Sequence, residues 1–213
     1  MQGDIIVNGN PLSDYWFQND IEKETIIEGK NRGKTFLYFS FGPKNYVNYY
    51  YDNDPESATY NWTPMLSEIH NIFHEHFLNS NDVLIYKIGH KSHRDYFSEV
   101  NKLKKIENVK ILDDKYDTYK LISEADAIIG FQTTGLIEAM YTDKPIIYCG
   151  WGETYEKIKD TLIDYHILGQ KRGIMHAKDK FEFKELLNSK IDTFSHDKKE
   201  RKKFRYKYMH NEN

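Results

Sequence analysis

Between residues 34 and 148 the chain alternates short apolar runs with stretches whose apolar residues recur at helical spacing. The runs are 34–40 (KTFLYFS), 82–88 (DVLIYKI), 109–112, 127–131 and 144–148. They are too short for helices, and 127–131 and 145–148 are continuously apolar. That is the mark of strands buried on both faces in a parallel sheet, and it argues against a sandwich of half-wet antiparallel strands. The intervening stretches 62–78, 92–103, 118–123 and 134–141 read as helices, so the order is βαβαβαβαβ. The fold class expected is α/β, a Rossmann-like parallel sheet with helices on both faces. A helix over 155–161 and a closing one over 180–188 complete the pattern. In 62–78, Met65, Leu66, Ile69, Ile72, Phe73 and Phe77 share one helical face, with Thr63 as N-cap and Pro64 in the first turn.

Three units follow from the same pattern: an arm or connection over 1–33, a Rossmann-like domain over 34–190, and a basic helix or tail over 191–213. A chain of 213 residues with 17 Tyr, 12 Phe and 3 Trp has material for one well-buried core. No apolar run approaches the ~20 residues of a membrane span, and the first 30 residues lack a signal-peptide plan, so a cytoplasmic location is expected. The single cysteine, Cys149, forbids an intrachain disulfide and reads as a packed thiol. Charge is uneven. Segment 197–207 carries seven Lys/Arg against two acids, +5, which leaves −8 for the rest of a chain totalling −3. The simplest account is a solvated last helix. Contact of 198–207 with an anionic membrane face, at the inner side of the cell membrane, is the alternative. Nucleic acid is not expected as a partner, because the acidic remainder opposes the long-range attraction such binding uses.

Ligands of open parallel sheets sit beyond the carboxyl ends of the strands. Four tips combine a glycine with polar or aromatic groups: Ser40 and Gly42, then Gly89, His90 and Lys91, then Gln132, Thr133, Thr134 and Gly135, and finally Gly150 and Trp151. The third is the most informative, since two hydroxyls and a glycine open a helix whose free N–H groups suit a phosphate. Glu138, one turn further, is placed to accept hydrogen bonds from ligand hydroxyls. The plainer account is that Thr133 or Thr134 only caps the helix and Glu138 completes the cap. His90 and Lys91, with His93 and Arg94, form a positive cluster suited to a phosphate, or merely a solvated helix start. His70 and His74 are four apart but lack the intervening Glu of a zinc-protease helix, so no metal ligand is assigned. Segment 29–35 imitates a phosphate loop but has one residue too few between its glycines and runs into a strand.

The run SEADAIIGFQTTGLIEAMYTDKPIIYCGWG (123–152) resembles the donor-site segment of bacterial capsule and surface-polysaccharide glycosyltransferases of the GT-B fold. DVLIYKIGHKSH (82–93) is similar to their strand and His-Pro-like motif, without its prolines. IIVNGNPLSDYW (5–16) resembles their interdomain connection. The resemblance implies one half of a GT-B fold, the half that binds a nucleotide-sugar. In that family and its sialyltransferase-like relatives, the donor is often CMP-linked. Carried over, His90, Thr133 and Thr134 would hold the donor phosphate and Glu138 the ribose or nearby hydroxyls. The donor is a substrate, so no cofactor is implied. The acceptor domain that supplies the catalytic base has no counterpart here, so no catalytic residue is assigned. A glycan or glycolipid acceptor and a separate acceptor-domain chain are the implied partners. A noncatalytic nucleotide or phosphosugar-binding module acting with a partner is the alternative. A redox enzyme is disfavoured by the lack of Gly-x-Gly-x-x-Gly after the first strand.

Overall fold

Among the described residues, six parallel strands form one sheet in the order β3-β2-β1-β4-β5-β6. They are β1 (Thr35–Phe39), β2 (Val83–Lys87), β3 (Val109–Leu112), β4 (Ala127–Gly130), β5 (Ile146–Cys149) and β6 (Ile174–Ala177). A computed structural model describes residues 33–41, 61–88, 97–112, 116–165, 173–191 and 194–209. The helices are α1 (Thr63–Leu78), α2 (Phe97–Leu103), α3 (Thr118–Glu124), α4 (Thr134–Ala139), α5 (Glu153–Ile158), α6 (Lys180–Glu185) and α7 (Lys198–Met209). The chain is therefore an α/β, Rossmann-like domain, as the alternation implies.

β1, β4 and β5 are buried at every position, which explains their unbroken apolar runs. Alternate β1 side chains serve opposite faces of the sheet. Phe36 and Tyr38 meet Phe77 and Phe73 of α1 edge-on, while the ring of Phe39 lies under Gly135 of α4. α1 packs beside α2 and α6 on the first face, and α3 and α4 pack together on the second. The six apolar side chains that α1 buries are worth roughly 1.5–3 kcal/mol each, against which its weak N-terminus matters little.

The start of β1 is fixed by two carboxylates. Asp82 Oδ1 accepts the Lys34 N–H and Asp126 Oδ2 accepts the Thr35 N–H, both at 2.7 Å, so each flanking strand is tied to the centre at the same level. Burial pushes the Asp82 carboxyl up, but hydrogen bonds from His76 and the Lys34 N–H outweigh it and hold the pKa low.

Several local expectations shift. Trp62, not Thr63, is the N-cap of α1, and it makes no side-chain cap bond; Asn61 Oδ1 accepts the Thr63 N–H at 3.1 Å instead. α4 ends at Ala139, two residues early. α5 begins at Glu153, behind Gly152 at φ 91°, and its expected last turn is a 3₁₀ turn over Lys159–Thr161. Strand β6 was not expected at all. His70 is buried with its Nε2 sharing a 2.9 Å hydrogen bond with the Tyr86 hydroxyl, a packing role. Cys149 is a free, buried thiol whose pKa burial pushes well up. The arm over 1–32 lies outside the described residues. No helix among the described residues is long and apolar enough to cross a membrane.

Candidate functional site

The strand order reverses between β1 and β4, which makes their carboxyl ends the switch point where such sheets leave a crevice. A cavity of about 170 Å³ lies there. Phe39 and Ser40 enter it from the end of β1, Lys87 and Ile88 from the end of β2, Thr118 from the start of α3, and Thr133, Thr134, Gly135 and Glu138 from α4 and the turn before it. Five sequence candidates are thus brought together: Ser40, Thr133, Thr134, Gly135 and Glu138.

The approach to α4 is built with care for the backbone. Gln132 has φ 42°, the left-handed region that an L residue enters only at a cost of about 1 kcal/mol or more. Its side chain holds it there. Nε2 donates to the Tyr148 hydroxyl at 2.8 Å and to the Ile163 carbonyl at 3.0 Å, while Oε1 accepts the Ile163 N–H at 2.9 Å. Gln132 therefore orients the turn from behind and does not line the cavity. Thr133 is the N-cap: its hydroxyl accepts the Gly135 N–H at 3.2 Å, and its carbonyl accepts the Tyr165 hydroxyl at 2.8 Å. A Cβ at Gly135 would stand 2.8 Å from the Phe39 ring, so glycine lets α4 start directly against β1.

Thr133 thus fulfils the plainer capping role, but Glu138 does not. The residue at the capping-box position, three past the cap, is Leu136, and Glu138 turns to the cavity instead. Burial raises its pKa; the Lys87 ammonium opposes that rise and Asp117 adds to it. Lys87 Nζ donates to the Thr118 hydroxyl at 2.6 Å and the Tyr116 carbonyl at 2.8 Å, which hold the ammonium beside the cavity. With only six residues, α4 spans fewer than two turns, so Lys87, more than the helix dipole, supplies positive potential among the described residues.

Gly150 and Trp151 belong elsewhere. A Cβ on Gly150 would meet the Tyr148 and Tyr155 rings at 2.8 Å, and its carbonyl accepts from His176 Nε2 at 2.8 Å. Trp151 is buried against Phe183, with Nε1 donating to Glu68 at 2.8 Å. Gly42, Gly89, His90, Lys91, His93 and Arg94 lie outside the described residues. Sequence reasoning missed Lys87 and Thr118. The available signal was a lone cation ending an apolar strand, at the same level as Ser40, whose N–H donates to the Lys87 carbonyl at 3.0 Å.

Among the described residues the cavity offers one ammonium, four hydroxyls and one half-buried carboxyl group. That set can neutralise an anionic group on one side and hydrogen-bond a polyol on the other. Ligand sites for whole drug-sized molecules run to about 300–1,000 Å³, so this volume suits a phosphate or a single ring. No family model matches the sequence, and no curated protein is significantly similar to it.

Proposed function

We propose that this cleft binds the phosphate and sugar end of a nucleotide-sugar, and that the chain is the donor-binding part of a glycosyltransferase for capsule or other surface polysaccharide. The observation that carries the reading is the cavity at the β1/β4 switch point, lined by Lys87 from the end of β2 and by Thr134 and Glu138, which lie four apart on one face of α4. Lys87 is placed to neutralise a phosphate as it accumulates charge on leaving the sugar. Glu138 accepts hydrogen bonds from hydroxyls of the sugar or ribose, and burial raises its pKa. The motif resemblance over 123–152 supports the assignment to a sugar donor. A second reading, a noncatalytic phosphosugar-binding module acting with a partner, draws on the cavity's size and on its described walls all coming from the carboxyl end of one sheet.

A thermal-shift panel with CMP, CDP, UDP, GDP, ADP and NAD tests this. At about a hundred times its dissociation constant a ligand adds about 2.7 kcal/mol, or roughly 5–10 °C in a chain this long. The expected result is a selective rise with a pyrimidine nucleotide that is lost in Thr134→Ala and Lys87→Met but kept in His74→Ala. A flat response to all six, or equal losses in all three variants, overturns the reading. Binding with no sugar transfer when an acceptor and partner chain are supplied favours the module.

A further inference from the structure

We propose that the exposed face of α7 docks flat on an anionic lipid surface, a property separate from the cleft and independent of its ligand. Basic residues make up seven of the ten positions from 198 to 207, and the fold sorts them by type. The arginines turn inward. Arg201 is 1% exposed, and its guanidinium donates to the carbonyls of Thr142, of Lys144 at 2.7 Å and of Gly173 at 2.8 Å. Arg205 donates to the Met140 carbonyl at 2.6 Å and lies 4.3 Å over the Tyr141 ring, while Phe204 is buried against Tyr165. These contacts hold the helix rigidly on the α4 side of the sheet.

The lysines turn outward. Lys199, Lys202, Lys203 and Tyr206 follow the i, i+3, i+4, i+7 spacing of a single stripe, opposite Arg201, Phe204 and Tyr208. With Lys207 they border a shallow trough of about 540 Å³. Lys198 and Lys207 at the margins pair with Asp143 at 2.6 Å and Asp164 at 2.8 Å, and Lys203 pairs with Glu200 at 2.6 Å. Counting these three acids and Asp197, at the helix start, against five lysines and two arginines still leaves +3 on the helix surroundings.

Charge complementarity selects an anion, and shape selects a plane. From 199 to 207 the stripe runs straight for about 12 Å. A flat anionic surface touches this stripe alone. A nucleic acid that wrapped further would meet a remainder of the chain with an excess of acids. Tyr206, 44% exposed amid lysines, has the apolar ring and polar tip that favour the water–lipid boundary, and the lysine stems are apolar under their charges.

Sedimentation of the full chain with phosphatidylcholine vesicles, with and without phosphatidylserine, tests the proposal. Binding is expected only where phosphatidylserine is present, and it should fade as salt rises. The triple variant Lys199→Gln, Lys202→Gln, Lys203→Gln should lower the partition coefficient about a hundredfold, near a factor of five per lysine. An equal change of charge in the exposed cluster at the end of α2 and just beyond it, Lys102→Gln, Lys104→Gln, Lys105→Gln, should leave binding intact. Absence of binding to the anionic vesicles, equal binding to neutral ones, or equal losses in the two triple variants overturns the proposal. So does release by a single-stranded oligonucleotide that binds the same face more tightly. If the α7 variant lowers the thermal midpoint, the salt titration of the unaltered chain decides, and binding that persists at high salt overturns it.

Discussion

Gln132 offers the sharpest test of how the site is held, because its backbone and its side chain make opposite contributions. In Gln132→Ala the left-handed φ remains but three hydrogen bonds disappear. At about 1 kcal/mol each, with the buried Tyr148 hydroxyl losing a donor, the loss is about 3 kcal/mol. In Gln132→Gly the same bonds are lost while the φ of 42° becomes cost-free, which returns about 1 kcal/mol. For a chain of this length, 1 kcal/mol moves the midpoint by roughly 2–4 °C. The alanine variant should therefore melt about 6–12 °C below the unaltered chain, and the glycine variant about 4–8 °C below it. Thermal unfolding followed by circular dichroism, with urea melts to convert midpoints into free energies, reads both. Because the bonds orient the turn that presents Thr133 and Thr134, both variants should also weaken nucleotide binding, glycine more than its stability loss implies. A cost below about 1 kcal/mol for alanine, or a glycine variant less stable than the alanine one, refutes the reasoning.

Arg201→Met strips the donor from three carbonyls at the starts of β5 and β6 and should cost about 3 kcal/mol, whereas Lys203→Met on the exposed side of the same helix should stay within about 0.5 kcal/mol; paired urea melts check the contrast. Glu138 has a folded-state pKa above its ordinary value, so between the unfolded and folded pKa the native state holds more protons, and stability falls as pH rises through that window. Glu138→Gln should accordingly raise the midpoint near neutral pH, leave it unchanged below about pH 4, and weaken ligand binding; a gain at low pH as well would sink the account.

The sheet was legible because its central strands are buried on both sides and carry little but apolar residues. Five strands lie where the runs fall. β6 escaped because its four residues, Ile174–Ala177, include His176, whose ring is spent on the Gly150 carbonyl, a partner invisible in sequence. The site was half legible. Thr133, Thr134, Gly135 and Glu138 stand out because a helix start after a strand is a local pattern. Lys87 and Thr118 join them only through the strand order, since β2 and α3 meet at the cleft across β1. Gln132, Gly150 and Trp151 carry the same local signature as the lining residues, and only the direction of the Gln132 and Trp151 side chains, and the rings packed against Gly150, tell them apart.

The central position of β1 also sets a timetable for folding. Its two tethers reach 48 residues ahead to Asp82 and 91 residues ahead to Asp126, so one edge can close long before the other. At about 5–20 residues per second of synthesis, the edge awaiting β4 stays bare for roughly 2–9 s after the β2 edge can close. During that interval Phe36, Leu37, Tyr38 and Phe39 sit in an open parallel edge, the kind of surface that recruits chaperones or a second nascent chain. Slow codons between 88 and 126 should lengthen that interval and lower the soluble yield, which synonymous variants of this stretch would reveal at unchanged thermal stability.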